Sequence, residues 1–405
     1  MSSFTASRNV QKMQSSSTMK AAQAAAQLRE EGNDVIDLTL GEPDFQTPEF
    51  IKEYAWEGLQ KGLTKYTPTA GLKNFQEAVA EFYALEFKTN FSPKEIVAAC
   101  GGKQALFNAA CTLLNPGDEM LIPKPFWVTF PELGNFTGAK NVFIETEKTD
   151  FVLTAEQVKN SITDKTKLLI INSPNNPTGR VISPDEMRKI VEVCAENEIY
   201  VLTDECYLFF AYPPAEVFTS ASLPAELRKF VCVAGSFSKT YAMTGWRIGY
   251  TIANEGWSNQ MSKLQSHSTS HPTSFVQYAC ARAMENHAAS KEAVNSMLSE
   301  YTARKNWLIP ALQTVEGFKC DEPEGAFYAF VDVRQMLGGK FKTSADVANL
   351  LLNQSHVVVT DGSGFGADGF LRISYATSIE NLQKAVERMK NLFNSEKKIS
   401  SHQQI

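Results

Sequence analysis

The sequence lacks the signals of several protein classes. Its seven cysteines include no C-x-x-C pair, and the chain has no internal repeat or low-complexity linker. No run approaches the ~18 apolar residues that a membrane-spanning helix needs, and no apolar segment follows the first basic residues as in a secretory signal. These absences argue against a disulfide-stapled or membrane-spanning protein. The odd, scattered cysteines predict reduced, mostly buried thiols and a cytoplasmic location.

Positive charge is also in short supply. The chain has 39 Lys and Arg against 45 Asp and Glu, for a net charge of −6. That balance argues against nucleic-acid and anionic-membrane partners, whose phosphates attract basic surfaces. The 405 residues, 43% hydrophobic and 21% charged, have instead the composition of a globular protein of two or three domains. Its length and composition are therefore typical of a globular enzyme.

Apolar strands alternate with helices through the middle of the chain. The predicted strands span 95–99, 119–122, 167–171, 200–203, 230–234 and 248–253. This pattern predicts an α/β fold with a mostly parallel sheet flanked by helices. A long helix at 297–312 and further strands predict a smaller α+β domain after it. The predicted divisions are an N-terminal arm and part of the small domain (1–48), a large domain (49–295), and a small C-terminal domain (296–405) whose last ten residues form a polar tail.

Three short motifs suggest other chemistries, and the context of each argues against it. The glycines from Gly364 to Gly369 match G-x-G-x-x-G, but a strand follows where a dinucleotide site needs a helix. His267 and His271 have zinc-ligand spacing without the acidic residue of a zincin or a nearby cysteine, so no metal is expected. An S-x-x-K motif ends at Lys239, but its order relative to an upstream S-x-N is the reverse of that in penicillin-binding proteins.

Polar residues follow three of the predicted strands. The string NSPNNPTG begins at Asn172, DECY begins at Asp204, and GSFSK ends at Lys239. In an open α/β sheet, ligands bind at the carboxyl ends of the strands. The side chains that can converge there are Asn176, Asp204, Tyr207, Ser236, Ser238 and Lys239.

This combination of residue types suits pyridoxal phosphate. A buried lysine loses its proton easily and can condense with the cofactor's aldehyde. A carboxylate keeps the pyridine nitrogen protonated, which makes the ring an electron sink. Tyrosine and asparagine can hydrogen-bond the ring hydroxyl. Serines, an arginine and a glycine-started helix N-terminus can hold the phosphate.

Three strings carry a family resemblance: SPNNPTG (173–179), TDECY (203–207) and SFSKTYAMTGWRIGY (236–250). They resemble the signature of the fold type I pyridoxal-phosphate-dependent aminotransferases of class I and II. Further strings match the same family in the same order: LGEPDFQTP, TKYTPTAG, GGKQALFN, PKPFWVTFPE, GAFYAFVD and LRISYATS. Within the family, they are most similar to bacterial aspartate aminotransferases of the gamma subgroup.

The resemblance implies how the cofactor is held. Lys239 forms a Schiff base with it and, once released by substrate, moves a proton between the substrate Cα and the cofactor's C4′. Asp204 pairs with the ring nitrogen. The other contacts fall to Tyr207 and Asn176 on the ring oxygen, Trp127 on the ring face, and Ser236, Ser238, Arg247, Gly102 and Lys103 at the phosphate. Tyr66 is implied to reach the phosphate of the other subunit, which makes the protein a homodimer with shared active sites.

The resemblance also implies how substrates bind. Arg372 clamps the α-carboxylate, the backbone at Gly41 closes over the substrate, and Trp127 and Asn176 line its site. Lys103, donated across the dimer, is the cation for a second carboxylate. Hydroxyls at Ser16, Ser17 and Thr18 assist it.

The implied reaction moves the amino group of L-aspartate to 2-oxoglutarate, giving oxaloacetate and L-glutamate by a ping-pong Schiff-base mechanism. One alternative keeps the fold and changes the substrate, as in an aromatic, prephenate or kynurenine-type aminotransferase. Another is a protein that keeps the fold but not turnover. The presence of Lys239, Asp204 and Arg372 together argues against that second alternative.

Overall fold

The structure is a computed structural model, and it describes residues 4–14 and 17–402. Its helices are α1 (Arg8–Lys12), α2 (Ser17–Glu30), α3 (Glu49–Gln60), α4 (Lys73–Phe87), α5 (Gly102–Cys111), α6 (Phe130–Thr137), α7 (Ala155–Ser161), α8 (Pro184–Glu196), α9 (Ala225–Arg228), α10 (Phe237–Thr240), α11 (Glu255–Ser266), α12 (Ser274–Glu285), α13 (His287–Leu312), α14 (Ser344–Leu350) and α15 (Ile379–His402). Its strands are β1 (Ile36–Asp37), β2 (Ile96–Ala99), β3 (Glu119–Lys124), β4 (Lys140–Glu145), β5 (Thr166–Asn172), β6 (Tyr200–Asp204), β7 (Val231–Ser236), β8 (Gly249–Ile252), β9 (Lys319–Cys320), β10 (Tyr328–Asp332), β11 (Val357–Val358), β12 (Thr360–Asp361) and β13 (Phe370–Ser374).

A seven-stranded sheet forms the centre of the larger part of the molecule. Its order is β2-β8-β7-β6-β5-β3-β4. The strands from β7 through β4 are all parallel, whereas β8 runs antiparallel to both β7 and β2. The predicted mostly parallel sheet is therefore confirmed, with β8 as its single antiparallel strand, next to the edge strand β2.

Both faces of this sheet are buried, which explains the continuous apolar strands. In β5, Leu168 and Ile170 belong to one apolar cluster, and Leu169 and Ile171 belong to another. Successive side chains of a strand point to opposite faces, so each face of β5 has its own core. Helix α5 contacts the sheet at β7 and β8, and α8 contacts it at β6.

A second, four-stranded antiparallel sheet has the order β12-β13-β10-β9 and packs in a separate apolar cluster. Strand β1, from near the N-terminus, pairs in parallel with β11 and joins this part of the molecule. Helix α13 runs without interruption from His287 to Leu312, across the predicted boundary near residue 295. The division into domains stays a prediction.

Three local features differ from the expectations. The edge strand β4 was not predicted, and β8 was not expected to run antiparallel. Helix α15 continues to His402, so most of the expected polar tail is helical. No Gly or Pro occurs after residue 378 to end that helix. Across the described residues, no helix is both long and apolar enough to cross a membrane.

Candidate active site

The three polar strand ends meet at one edge of the large sheet. The register pairs Asn172 at the end of β5 with Asp204 at the end of β6, and Asp204 with Ala234 in β7. A cavity of about 580 Å³ opens at this edge. The predicted site residues that line it are Gly41, Gly102, Lys103, Trp127, Asn176, Asp204, Tyr207, Ser236, Ser238, Lys239, Arg247 and Arg372.

Lys239 is held on a single helical turn directly after β7. The Ser236 hydroxyl caps this turn by accepting a hydrogen bond from the Ser238 N–H at 3.1 Å. The Lys239 amine donates to the carbonyl of Gly41. Burial is the main effect that lowers the pKa of Lys239, against the neighbouring acidic groups that raise it. A lowered pKa makes the neutral, nucleophilic amine easier to form.

Asp204 is a buried carboxylate whose hydrogen bonding does not offset the effect of burial on its pKa. It is 5% exposed, and burial raises its pKa to about 6, although the Cys206 N–H donates to it at 3.2 Å. The neighbouring Asn172 side chain donates to the Asp204 carbonyl at 2.9 Å and accepts from the Asn176 N–H at 2.8 Å. Asn172 thus ties two strand-end loops together beside a carboxylate that a cationic ligand atom would stabilise.

The loop that carries Asn176 is closed by its own side chains. The Asn175 side-chain oxygen accepts from the backbone N–H and the hydroxyl of Thr178, at 3.1 and 2.9 Å. Such a turn explains the Asn and Thr of this string. It presents the Asn176 side-chain oxygen to Arg372, whose Nη1 donates to it at 3.0 Å.

Arg372 is 2% exposed, which is unusual for an arginine. Its Nη2 donates to the Thr39 carbonyl at 2.7 Å, and its Nε has no hydrogen-bond partner. The guanidinium carbon lies 4.5 Å from the ring centroid of Tyr328 and 5.0 Å from that of Phe365. A buried guanidinium with an unsatisfied donor, beside a cavity, is suited to an anionic ligand.

The cavity also contains an anion cradle, formed by the N-terminus of α5, the Ser236 and Ser238 hydroxyls, and Arg247. The Arg247 guanidinium donates to the Thr244 carbonyl at 2.8 Å. A Cβ on Gly101 would lie 2.6 Å from Arg247 Nη2, so only glycine allows this approach. Backbone amides at a helix N-terminus, hydroxyls and a guanidinium together form a phosphate-type site.

A further cation besides Arg372 and Arg247 lies in the same cavity. The Lys103 amine is 4.8 Å from the ring centroid of Trp127, which lies in the loop after β3. Partial burial and then the charge of Arg247 lower the pKa of Lys103. Lys103 had been expected to act across a dimer. It lines the cavity of its own chain, where it follows Gly102 at the start of α5, and its action across a dimer stays a prediction.

A family model for the class I and II aminotransferases matches residues 33–389. The chain belongs to this family. Its similarity to individual members extends over almost the whole sequence. It is 42% identical over 385 residues to a probable aspartate/prephenate aminotransferase of Aquifex aeolicus, covering 94% of this chain and 96% of that one. It is 40% identical over 376 residues to an aspartate aminotransferase of Bacillus sp. strain YM-2, covering 92% and 95%.

Solved structures give the same result. The aspartate aminotransferase of Thermus thermophilus with maleate matches with a TM-score of 0.91 and 37% identity, over 96% of this chain and all of that one. The predictions of an aminotransferase and of its fold are thereby confirmed.

Sequence reasoning assigned no role to several residues that line the cavity of this aminotransferase. They are Met13, Gln14, Leu106, Phe107, Val128, Thr129, Glu132, Asn172, Cys206 and Tyr328. Tyr328 lies in a string used to recognise the family, and a hydroxyl in an apolar strand was the only local signal for it. Of the hydroxyls expected near a distal carboxylate, Ser16 and the side chains of Ser17 and Thr18 lie outside the described part of the chain.

Among the predicted site residues whose side chains the structure describes, Tyr66 is the one that does not line the cavity. It is 92% exposed, and its ring lies 5.7 Å from that of His271. His271 accepts a hydrogen bond from the Thr67 N–H at 3.4 Å.

Within the described residues, no group of three or more His, Cys, Asp or Glu is arranged to hold a metal ion.

Proposed function

We propose that this aminotransferase uses pyridoxal phosphate to move the amino group of L-aspartate to 2-oxoglutarate, giving oxaloacetate and L-glutamate in a ping-pong reaction. The observation that carries the proposal is the presence of Arg372 and Lys103, two cations besides the Arg247 of the anion cradle, in the cavity that also holds Lys239 and Asp204. Two cations suit a substrate with two carboxylates. The names of the Bacillus and Thermus relatives support the same substrate.

The residues present fit the cofactor. The glycine-lined cradle would hold its phosphate, and the buried carboxylate of Asp204 would hold its protonated ring nitrogen. Asn176 and Tyr207 would bond the ring oxygen, and Trp127 would cover the ring face. When bound, pyridoxal phosphate supplies an electron sink that stabilises negative charge at the substrate Cα.

Lys239 and Asp204 would divide the proton chemistry. The Lys239 amine, whose pKa is lowered by burial, would bind the cofactor's aldehyde carbon and later accept the proton from the substrate Cα. Asp204 would keep the ring nitrogen protonated, and the cationic nitrogen would in turn favour the ionised carboxylate, offsetting the burial that raises its pKa.

Arg372 and Lys103 would position the substrate. The Nη atoms of Arg372 are tied to Asn176 and Thr39, and its Nε is free to donate to the α-carboxylate. Lys103 would take the distal carboxylate. The carbonyl of Gly41, which accepts from Lys239, would lose that bond when Lys239 binds the cofactor, which leaves the Gly41 backbone free to close over the substrate.

A second candidate substrate class is prephenate or an aromatic amino acid. The Aquifex relative is named an aspartate/prephenate aminotransferase. The apolar side chains of Leu106, Phe107 and Val128 line the cavity and would accept a ring. Lys103 could serve the second carboxylate of prephenate, and apolar pockets discriminate weakly between rings.

We also propose a homodimer in which Tyr66 reaches the partner's cofactor phosphate. The almost complete exposure of Tyr66 supports a contact outside its own chain. A cytoplasmic location is supported by the seven cysteines, all of which are free.

The test is an absorption spectrum of the protein loaded with pyridoxal phosphate, recorded before and after excess L-aspartate, with L-phenylalanine as the comparison. We expect aspartate to convert the visible band of the lysine-bound cofactor into the ultraviolet band of its amine form. Conversion by phenylalanine alone would support the second candidate. A band unchanged by both would contradict both substrate assignments.

A further inference from the structure

Tyr328 contacts both Tyr207 and Arg372 in the candidate site. It begins β10, which pairs with β13 so that Phe330 lies opposite Arg372. It is fully buried and lines the cavity. Its hydroxyl lies 2.7 Å from that of Tyr207, and its ring lies under the Arg372 guanidinium. One side chain therefore touches a residue proposed for the cofactor and a residue proposed for the substrate.

The two hydroxyls form one hydrogen bond, so only one of their protons lies between them. If Tyr207 donated to Tyr328, it would have no proton left for an acceptor in the cavity. If Tyr328 donates, Tyr207 keeps its proton for a ligand. The bond that Tyr207 accepts also polarises its own O–H and makes it a stronger donor.

The ring of Tyr328 fixes the plane of Arg372. The guanidinium contacts two rings, those of Tyr328 and Phe365, at 4.5 and 5.0 Å. Its Nη1 and Nη2 are tied within the plane to Asn176 and Thr39. Rings over the guanidinium oppose tilting, because tilting would lose the attraction between cation and ring.

We propose that Tyr328 is a positioning residue for both Tyr207 and Arg372. Its hydroxyl donates to Tyr207 so that Tyr207 donates to the cofactor's ring oxygen, and its ring supports the Arg372 guanidinium that takes the substrate carboxylate. This inference rests on the proposed function. It also accounts for Gly41, because a Cβ there would lie 3.1 Å from the Tyr328 hydroxyl. Loss of the hydroxyl and loss of a supporting ring should change different measurements.

The test variant is Tyr328→Phe, which removes the hydroxyl and keeps the ring. The readouts are the pH midpoint of the visible absorption change of the lysine-bound cofactor and the KM for L-aspartate. A weaker Tyr207 donor stabilises the negative ring oxygen less, so the form protonated at lysine persists to higher pH. We expect the midpoint to rise by about 0.3–0.5 pH unit. The KM should change by less than about twofold, since the ring remains.

The matched control is Phe365→Leu, which removes the other ring on Arg372 and touches no hydroxyl pair. It should raise the KM for aspartate roughly 2- to 30-fold and leave the midpoint unchanged. A wild-type midpoint in Tyr328→Phe would overturn the inference. An equal midpoint shift in Phe365→Leu would overturn it as well, because a general loss of packing in the site would then explain the shifts in both variants.

The aspartate assignment fails separately. If the loaded wild-type protein transfers no amino group from aspartate, the proposed substrate is wrong. The comparison of midpoints needs no substrate and still decides whether Tyr328 orients Tyr207. For the ring, the KM would then be measured with whichever amino acid converts the cofactor.

Discussion

Glu205 offers a direct test of how burial affects a carboxyl group in this protein. It follows Asp204 in sequence and is 6% exposed. One carboxyl oxygen accepts from the Ser220 N–H at 2.8 Å and from the Thr203 hydroxyl at 3.1 Å, and the other has no partner. Burial raises its pKa from 4.5 to about 7 despite these bonds. At pH 8 the native state therefore holds an ionised carboxylate that would be more stable in water.

The sign of the effect follows from proton linkage. Because the pKa of Glu205 is higher in the folded state, the native protein binds more protons than the unfolded chain between pH 4.5 and 7. Stability contributed by this group falls as the pH rises through that window, and the loss is complete above it. A shift of this size corresponds to about 3 kcal/mol at pH 8 and to less than about 1 kcal/mol at pH 5.

The variant is Glu205→Gln, which keeps the size of the side chain and cannot ionise. Urea denaturation at pH 5 and pH 8, without cofactor, would give the change in the free energy of unfolding. We expect the variant to gain about 2–3 kcal/mol relative to wild type on going from pH 5 to pH 8. Any destabilisation caused by the new amide that does not depend on pH cancels when the values at pH 5 and pH 8 are subtracted.

The control is Glu216→Gln. Glu216 lines the same small pocket of about 10 Å³ as Glu205 but is exposed, so its substitution removes a carboxyl group from the pocket without removing a buried one. If Glu205→Gln changed the free energy of unfolding by the same amount at pH 5 and at pH 8, the reasoning would be refuted. They would mean that the buried carboxylate is solvated or compensated in the folded protein.

The other predictions concern turnover by the loaded enzyme. Lys239→Ala should lose the visible cofactor band and at least about 10³-fold in kcat, and retained turnover would contradict its role. Asp204→Ala should keep the cofactor but lose about 10²-fold or more in kcat, whereas an unaffected rate would assign the ring nitrogen to another group. Lys103→Ala should raise the KM for aspartate roughly 10- to 100-fold and barely change that for phenylalanine, so equal losses would remove it from the distal carboxylate.

The fold could be predicted where burial leaves a simple pattern. Strands β5 and β7 are buried on both faces and therefore appear as continuous apolar runs. Strand β4 was missed because it lies at the sheet edge, where only Ile144 of its residues is buried. The antiparallel direction of β8 has no local signal at all, because direction is decided by which strands it pairs with.

The site could be predicted where side chains act directly on a ligand. Asp204, Lys239 and Arg372 occur in sequence motifs that are typical of cofactor and substrate binding in this family. Asn172 and Tyr328 act through other side chains, so nothing in their local sequence reports which neighbours they contact. The action of Lys103 across a dimer stays a prediction, because motif strings carry no information about which chain's cavity a side chain enters.

Two adjacent carboxyl groups, those of Asp204 and Glu205, lie at the end of β6. Their arrangement makes the protein sensitive to insertions and deletions within this strand. Asp204 lines the large cavity, and Glu205 lines the small apolar pocket on the other side of the strand. Side chains alternate along a strand, so deletion of a single codon between Tyr200 and Thr203 would turn Glu205 toward the cavity. The encoded protein would still have an acid in the site, on a longer side chain, and Glu205 would no longer line the small pocket. Natural variants should therefore tolerate substitutions in β6 far better than insertions or deletions.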